Sequence, residues 1–337
     1  MLVSADQEID GLAFVMHLLR DRFPSRGYRW VIIFFAQITL WDIFMKNIVF
    51  LYTFFCIWSV ARALPVIFVH RGYQPYVQVA LDQALKYNKE VFLITDSETK
   101  YCRVPIFSID EYADLAKKFA QHYLHLSPNP HGFELFCIQR WFILEEFMKK
   151  KHIDRCFYCD YDVLLYGDVN EAVTYFDGDV ALLGSRSNGL SAINGEMLSG
   201  GTCYIKQAVL GDLVDFIAQT YADPKRRRDL RGRFENRHNK RHGICDMTLF
   251  TLFGHERENI YDIRNLTKPV GNTCFDHHMR ADDSVYEMEQ VCGMMVKKIT
   301  FREKIPYGYN MVAKRAVRFW CLHFQGGAKK LMPLYAQ

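Results

Sequence analysis

From residue 64 onward the chain alternates short, wholly apolar runs with longer amphipathic ones. The run 65–70 (Pro-Val-Ile-Phe-Val-His) is apolar on both sides and predicts a buried strand. Residues 74–86 place Val77, Val79, Ala80, Ala84 and Leu85 on one side, which predicts a helix. Strands are expected at 90–95 and 104–108, helices at 111–122 and 134–150, and another strand at 155–159. Then come strands at 180–184 and 201–206, helices at 207–221 and 246–254, and late strands at 296–301 and 317–324. This β-α-β-α-β order predicts an α/β fold, with a mostly parallel central sheet flanked by helices. In open sheets of this kind ligands sit beyond the carboxyl ends of the strands. Neither an internal repeat nor a low-complexity linker interrupts 64–337, so that stretch reads as one domain.

Residues 1–63 are patterned differently. Residues 30–41 are apolar and uncharged, Asp42 and Lys46 interrupt, and 47–61 are uncharged again. Neither stretch reaches the ~20 residues a spanning helix needs. From Met45 the order is Met-Lys-Asn, an apolar 48–58, then Ala61-Arg62-Ala63. That is a basic n-region, an h-region and a small-x-small cleavage site. Residues 1–44 then extend a secretory protein upstream. Alternatively the segment is an uncleaved anchor, with Arg20, Arg22, Arg26 and Arg29 holding the N-terminus in the cytosol. A pair of buried apolar helices in a soluble protein is the third reading. The favoured expectation is an N-terminal apolar helical segment acting as signal peptide or membrane anchor. It places the chain at a membrane or in the secretory pathway, in the Golgi or ER lumen if the source is eukaryotic. The sequon Asn265-Leu266-Thr267 agrees with a lumenal glycoprotein.

Composition changes this picture little: 50% apolar and 24% charged residues describe an ordinary globular protein. Charge is more informative, because the net +4 is unevenly placed. Residues 225–241 hold nine Lys or Arg against Asp229 and Glu235. A solvated loop is the plain expectation; contact with anionic lipid or an anionic acceptor is the other. Phe234 alone interleaves an aromatic ring with these charges, which argues against nucleic acid. The ten cysteines follow no zinc spacing. Cys156 and Cys159 have C-x-x-C spacing but face opposite sides of a strand, so buried free thiols are expected.

The chemistry concentrates where the strand at 155–159 ends in Asp160-Tyr161-Asp162. Positions two apart on a strand share a face, so both carboxylates can point the same way. Two hard oxygen ligands suit a divalent cation of the kind that binds through one or two carboxylates plus substrate phosphates. The last predicted strand ends His323-Phe324-Gln325-Gly326-Gly327-Ala328-Lys329. There an imidazole can complete a metal shell, Gly326 permits close backbone approach, and Lys329 can neutralise a diphosphate oxygen.

With these two motifs the sequence resembles the GT-A nucleotide-sugar glycosyltransferases, and within them glycosyltransferase family 8, the glycogenin and galactosyltransferase group. That family pairs an Asp-x-Asp with a late His-x-x-Gly-x-x-Lys-Pro-Trp; here Lys330-Leu331 stands where the family has Pro-Trp. The resemblance implies a GT-A fold and Mn2+ (or Mg2+) held by Asp160, Asp162 and His323, with Lys329 on the diphosphate. Leu64–Leu81 resembles the family's uridine-binding opening, with Tyr73 as the residue for the base. Arg140-Trp141-Phe142-Ile143-Leu144 resembles a helix whose arginine lies near the donor sugar. Leu198-Ser199-Gly200-Gly201 resembles the Asn-Ser-Gly-Val turn beside the transferred sugar, with Ser199 on its serine. Cys245-Asp246-Met247-Thr248 resembles the Asp-Gln-Asp helix start, where Asp246 orients donor or acceptor hydroxyls; an ordinary N-cap is the other reading of Asp246. The implied activity is transfer from a UDP-sugar to a hydroxyl of a glycan, protein or lipid, with retained anomeric configuration. Two other classes stay open: a membrane-attached nucleotide-sugar-binding protein without turnover, and a metal-dependent phosphodiesterase or nucleotidyltransferase.

Overall fold

In the computed structural model the described residues are 63–186, 191–236, 243–280 and 285–337. The expected signal or anchor segment, including the apolar stretch 30–61, therefore lies outside them apart from Ala63. Among the described residues no helix is long and apolar enough to cross a membrane.

The apolar run at the domain's start forms β1 (Val66–His70), buried at every position. Alternation sends Val66 and Phe68 into one apolar cluster and Ile67 and Val69 into another. Burial on both faces explains why this strand shows no polar alternation. Helix α1 (Pro75–Leu85) follows, with proline in its first turn where no intrahelical donor is needed. Next come β2 (Val91–Thr95), β3 (Ile106–Ser108), α2 (Asp114–Ala120), α3 (His131–Lys150) and β4 (Arg155–Cys159). The expected helix at 111–122 is broken: a 3-10 turn, Ile109–Tyr112, precedes α2, and Ala113 between them leaves helical geometry at φ −107°.

After β4 the chain makes β5 (Val163–Leu165), α4 (Val169–Val173), β6 (Val180–Arg186) and β7 (Glu196–Lys206). Helices α5 (Gln207–Ala222), α6 (Pro224–Glu235) and α7 (Asp246–Arg257) are followed by β8 (Ile263–Asn265). The main sheet has the order β3-β2-β1-β4-β7-β6-β8. Pairings from β3 to β4 are parallel, β7 runs antiparallel to both neighbours, and β8 is parallel to β6. The expected α/β sheet is therefore mostly parallel, with one reversed strand inside it.

The basic stretch is not a loop over its described part. Asp223 caps α6 by accepting the Arg226 N–H at 2.8 Å, Pro224 opens the first turn, and Leu230 is the buried anchor. Arginine and lysine are good helix formers, so a capped run of them folds once a single apolar residue docks it. The sequon asparagine is also in use by the fold: Asn265 Oδ1 accepts the Thr267 N–H at 2.9 Å and the Thr267 hydroxyl at 2.7 Å. Every described cysteine is a free thiol.

The C-terminal part contains β9 (Thr273–Cys274), β10 (Met288–Val291), β11 (Met294–Lys297) and β12 (Ile299–Arg302). It ends with β13 (Ile305–Asn310), β14 (Arg315–Phe319), β15 (Cys321–His323) and α8 (Met332–Tyr335). Both late strands expected from sequence are in fact two. In 317–324 the partner changes midway: Val317 pairs with β13, whereas Cys321 to His323 pair with β5. Apolar continuity hides that switch, because each half is buried against a different neighbour.

Candidate active site

Asp160 and Asp162 do not lie on a strand. They occupy the turn from β4 into β5, closed by Val163 N–H donating to the Asp160 carbonyl at 3.1 Å. The turn, rather than strand alternation, brings the two carboxylates together. Antiparallel pairing of β5 with β15 then sets His323 opposite Val163, and Phe324 N–H donates to the Asp162 carbonyl at 2.8 Å. One ligand atom from each of Asp160, Asp162 and His323 lies within 4.8 Å of the others.

A third strand leaves room for this cluster. Between Leu182 and Leu183 the β6–β7 register jumps from Cys203 to Ser199, so β7 bulges at 200–202. The bulge turns the Gly201 carbonyl toward Asp160, whose N–H donates to it at 2.7 Å. A Cβ on Gly201 would stand 3.0 Å from both Asp160 Oδ2 and His323 Cε1; a Cβ on Gly200 would run into Trp141 and Phe250. Gly200 leaves no room for a side chain, and a Cβ at Gly201 would fit only if Asp160 or His323 gave way. Ser199 is buried, and its hydroxyl accepts the Gly201 N–H at 3.3 Å.

Arg140, on α3, joins the two acidic motifs. Its Nη1 pairs with Asp160 Oδ1 and its Nη2 with Asp246 Oδ2 at 2.5 Å, all three side chains being largely buried. Tyr158 OH donates to Asp160 Oδ1 at 2.8 Å, and Trp141 Nε1 donates to Asp246 Oδ2 at 3.3 Å. Asp246 is not the helix cap: Cys245 is, and Asp246 opens α7 with its carboxylate turned to Arg140. Thr248, where the family's second acid would fall, closes a capping box with Cys245 and bonds the Ser191 hydroxyl at 2.7 Å.

On the far side of Asp162, Oδ1 faces His323 Nε2 at 3.2 Å and Oδ2 faces Lys329 Nζ at 3.2 Å. Burial alone would raise the Asp162 pKa, but His323 and Lys329 outweigh it and hold the carboxyl well below the usual range. Asp160 is pushed the other way: burial raises it against the pull of Arg140, and Asp162 adds to the rise. Burial works against protonated His323, yet Asp162 raises its pKa overall. Lys329 likewise stays protonated beside Asp162 despite partial burial. Its ammonium lies 4.6 Å from the Tyr161 ring centroid, a cation–π contact. Gly326, at φ +60°, opens the 3-10 turn Gly326–Leu331 that carries Lys329.

A divalent cation fits these residues. His323 Nε2 is buried with no aligned hydrogen-bond partner, the donor set is two carboxylates and an imidazole, and Gly201 leaves open the space a side chain would fill. Six of the nine expected residues thus meet in one network: Arg140, Asp160, Asp162, Asp246, His323 and Lys329. Ser199 adjoins it through Gly201, and Gly326 shapes the turn. Tyr73 is apart: it is half-exposed, with its ring 5.3 Å from that of Tyr101. Tyr101 holds the loop after β1 by accepting the Gln74 N–H at 2.9 Å and donating to the Gly72 carbonyl at 3.0 Å. Tyr158, Tyr161 and Trp141 were not singled out from sequence, although each is the immediate neighbour of a residue that was, or two positions away from it.

No protein-family model and no curated protein sequence matches the chain. Among solved structures, the apo form of mouse xyloside xylosyltransferase 1 aligns with 60% of this chain and 85% of that chain. Its identity is 12% and its TM-score 0.43. The bifunctional glycosyltransferase WbbM aligns over 67% of this chain and 42% of its own, at 13% identity and TM-score 0.39. The galactosyltransferase LgtC, bound to donor and acceptor sugar analogs, aligns over 56% and 70%, at 13% identity and TM-score 0.34. At these scores a functional reading rests on the residues of this chain and not on the likeness.

Proposed function

We propose that the chain is a metal-dependent glycosyltransferase moving a sugar from a nucleoside diphosphate sugar, with UDP as the nucleotide, to a hydroxyl acceptor. The observation that supports this most is the convergence of Asp160, Asp162 and His323 on one point, with the Lys329 ammonium beside Asp162. A carboxylate-rich site backed by a fixed cation suits a diphosphate better than a neutral ligand. Asp160, Asp162 and His323 would hold Mn2+ or Mg2+, which when bound supplies Lewis-acid stabilisation of the leaving diphosphate. Lys329 adds a cation where negative charge develops as the glycosidic bond breaks, already oriented by Asp162 and Tyr161. Arg140 holds Asp160 through Oδ1 and Asp246 through Oδ2, which leaves Asp160 Oδ2, beside Gly201 and His323, for the cation and Asp246 placed to accept from sugar hydroxyls. Ser199 lies beside the place of the transferred sugar, and Tyr73 with Tyr101 borders the place of the base.

Asp160 and Asp246 are both engaged by Arg140, which disfavours either as the nucleophile of a covalent glycosyl intermediate; the retained configuration comes from the family resemblance alone. Association with a membrane or the secretory pathway is part of the same proposal and rests on the sequence of 30–61 and the basic stretch 225–241. A second reading, a nucleotide-sugar-binding protein without turnover, is favoured by one observation: Thr248 serves the helix cap where the family has an acid.

Incubation with UDP-sugars and Mn2+ tests the proposal. Release of UDP with the sugar transferred or hydrolysed at carbon, abolished in Asp162→Asn, is expected. Cleavage at phosphorus would assign a phosphodiesterase, and binding without any product would assign the second reading.

A further inference from the structure

His323 is gripped from a direction that the ligand cluster does not include. We propose that Asp276, held in turn by Lys297, is the positioning residue that sets His323 as a metal ligand; this rests on the cation site proposed above. β15 has two edges. One pairs with β5, which carries the turn of the two aspartates. The segment 276–279 takes the other edge, and it is irregular, so a side chain does part of the work of a strand. Asp276 Oδ2 accepts the His323 N–H at 3.0 Å, and Met279 N–H donates to the His323 carbonyl at 2.9 Å. Both backbone polar groups of His323 are therefore fixed by four consecutive residues.

Asp276 is fixed as firmly. Its Oδ1 accepts from Lys297 Nζ at 2.7 Å, and the two side chains are 0% and 2% exposed. Lys297, at the end of β11, also donates from Nζ to the His278 carbonyl at 3.1 Å and from its N–H to the Met279 carbonyl at 2.8 Å. The ion pair thus locks the 276–279 segment to β11 and points one carboxylate oxygen at His323. A buried ion pair is a poor stability device, since apolar residues of similar volume are often as stable or better. It does hold a ligand's backbone with a charge-assisted hydrogen bond, stronger than a neutral one. Asp276 spends its oxygens on these contacts and is not a member of the ligand cluster.

The test is calorimetric titration of Mn2+ into the full chain, with and without UDP, alongside metal-free thermal unfolding. Two double variants separate positioning from packing. Asp276→Leu with Lys297→Met removes both the charges and the acceptor. Asp276→Asn with Lys297→Met removes the charges but keeps a carbonyl for the His323 N–H. The expected result is Mn2+ affinity about 10–100-fold weaker in the leucine variant and within about threefold of wild type in the asparagine variant. Unchanged affinity in a folded leucine variant, or equal loss in both, overturns the inference. If the leucine variant does not fold, the asparagine variant decides: a loss of about tenfold or more there overturns it. Wild-type protein that binds no Mn2+ overturns this inference and the cation site together, whereas the other failures leave the cation site standing.

Discussion

Arg140→Met is the perturbation whose size the structure fixes best. Arg140 makes one ionic hydrogen bond to Asp160 and one to Asp246, from a side chain 9% exposed. Charge-assisted hydrogen bonds contribute about 1.5–3 kcal/mol each, so two give about 3–6 kcal/mol. Breaking a buried ion pair by removing one partner costs about 3–5 kcal/mol, which agrees. Tyr158 and Trp141 remain as neutral donors to the two carboxylates, which favours the lower end, about 3 kcal/mol. At about 2–4 °C per kcal/mol for a domain of this size, metal-free protein should melt about 6–12 °C lower at neutral pH. The pH dependence has a definite sign. Burial already holds the folded-state pKa of Asp160 above its ordinary value against the pull of Arg140, and without Arg140 it rises further. The penalty is then full above that further-raised folded value and is relieved as pH falls through it. The gap to wild type should close on acidification. Thermal unfolding by circular dichroism across pH checks both parts. A decrease below about 2 °C, or a gap that widens on acidification, would refute the reasoning.

Two further expectations concern the same cluster. Gly201→Ala should weaken Mn2+ binding in calorimetry, because its Cβ would stand 3.0 Å from Asp160 Oδ2 and His323 Cε1; Gly232→Ala, in open space, should not. In Asp162→Asn the metal-free stability deficit should be constant above about pH 5 and shrink steadily as pH falls below the unfolded carboxyl value of about 4. The reason is that the wild-type carboxyl, held below its usual range, stabilises the fold only while ionised. A deficit that persists at low pH in denaturant titrations would contradict that assignment.

Much of this architecture is legible in the sequence alone. β1 and β4 are clear because strands buried on both faces leave unbroken apolar runs, and the start of α7 is marked by its acid after a polar loop. The Asp160–Asp162–His323 cluster is legible through motif spacing together with the family resemblance, but for an incomplete reason: the Asp160–Asp162 pair converges through a turn, not through a pleat. Partner switches are not legible. Trp320 separates β14 from β15 without any break in hydrophobicity, because both halves are buried in one apolar cluster while pairing with different strands. The α6 helix is hidden by its charge, since one buried leucine suffices to dock it. Asp276 and Lys297 are unreadable for a simpler reason: nothing in sequence marks two residues 21 apart as a buried ion pair. Tyr158 falls in the same class, an apolar-looking strand residue whose hydroxyl reaches the next carboxylate but one.

The central claim is that this cluster transfers a sugar from a nucleoside diphosphate. The most direct measurement is product analysis after incubating wild type and Asp162→Asn with UDP-sugars and Mn2+. The account predicts free UDP with the sugar moved to an acceptor hydroxyl or to water, only with metal and only in wild type. Equal turnover in Asp162→Asn, or turnover that survives chelation, would contradict it.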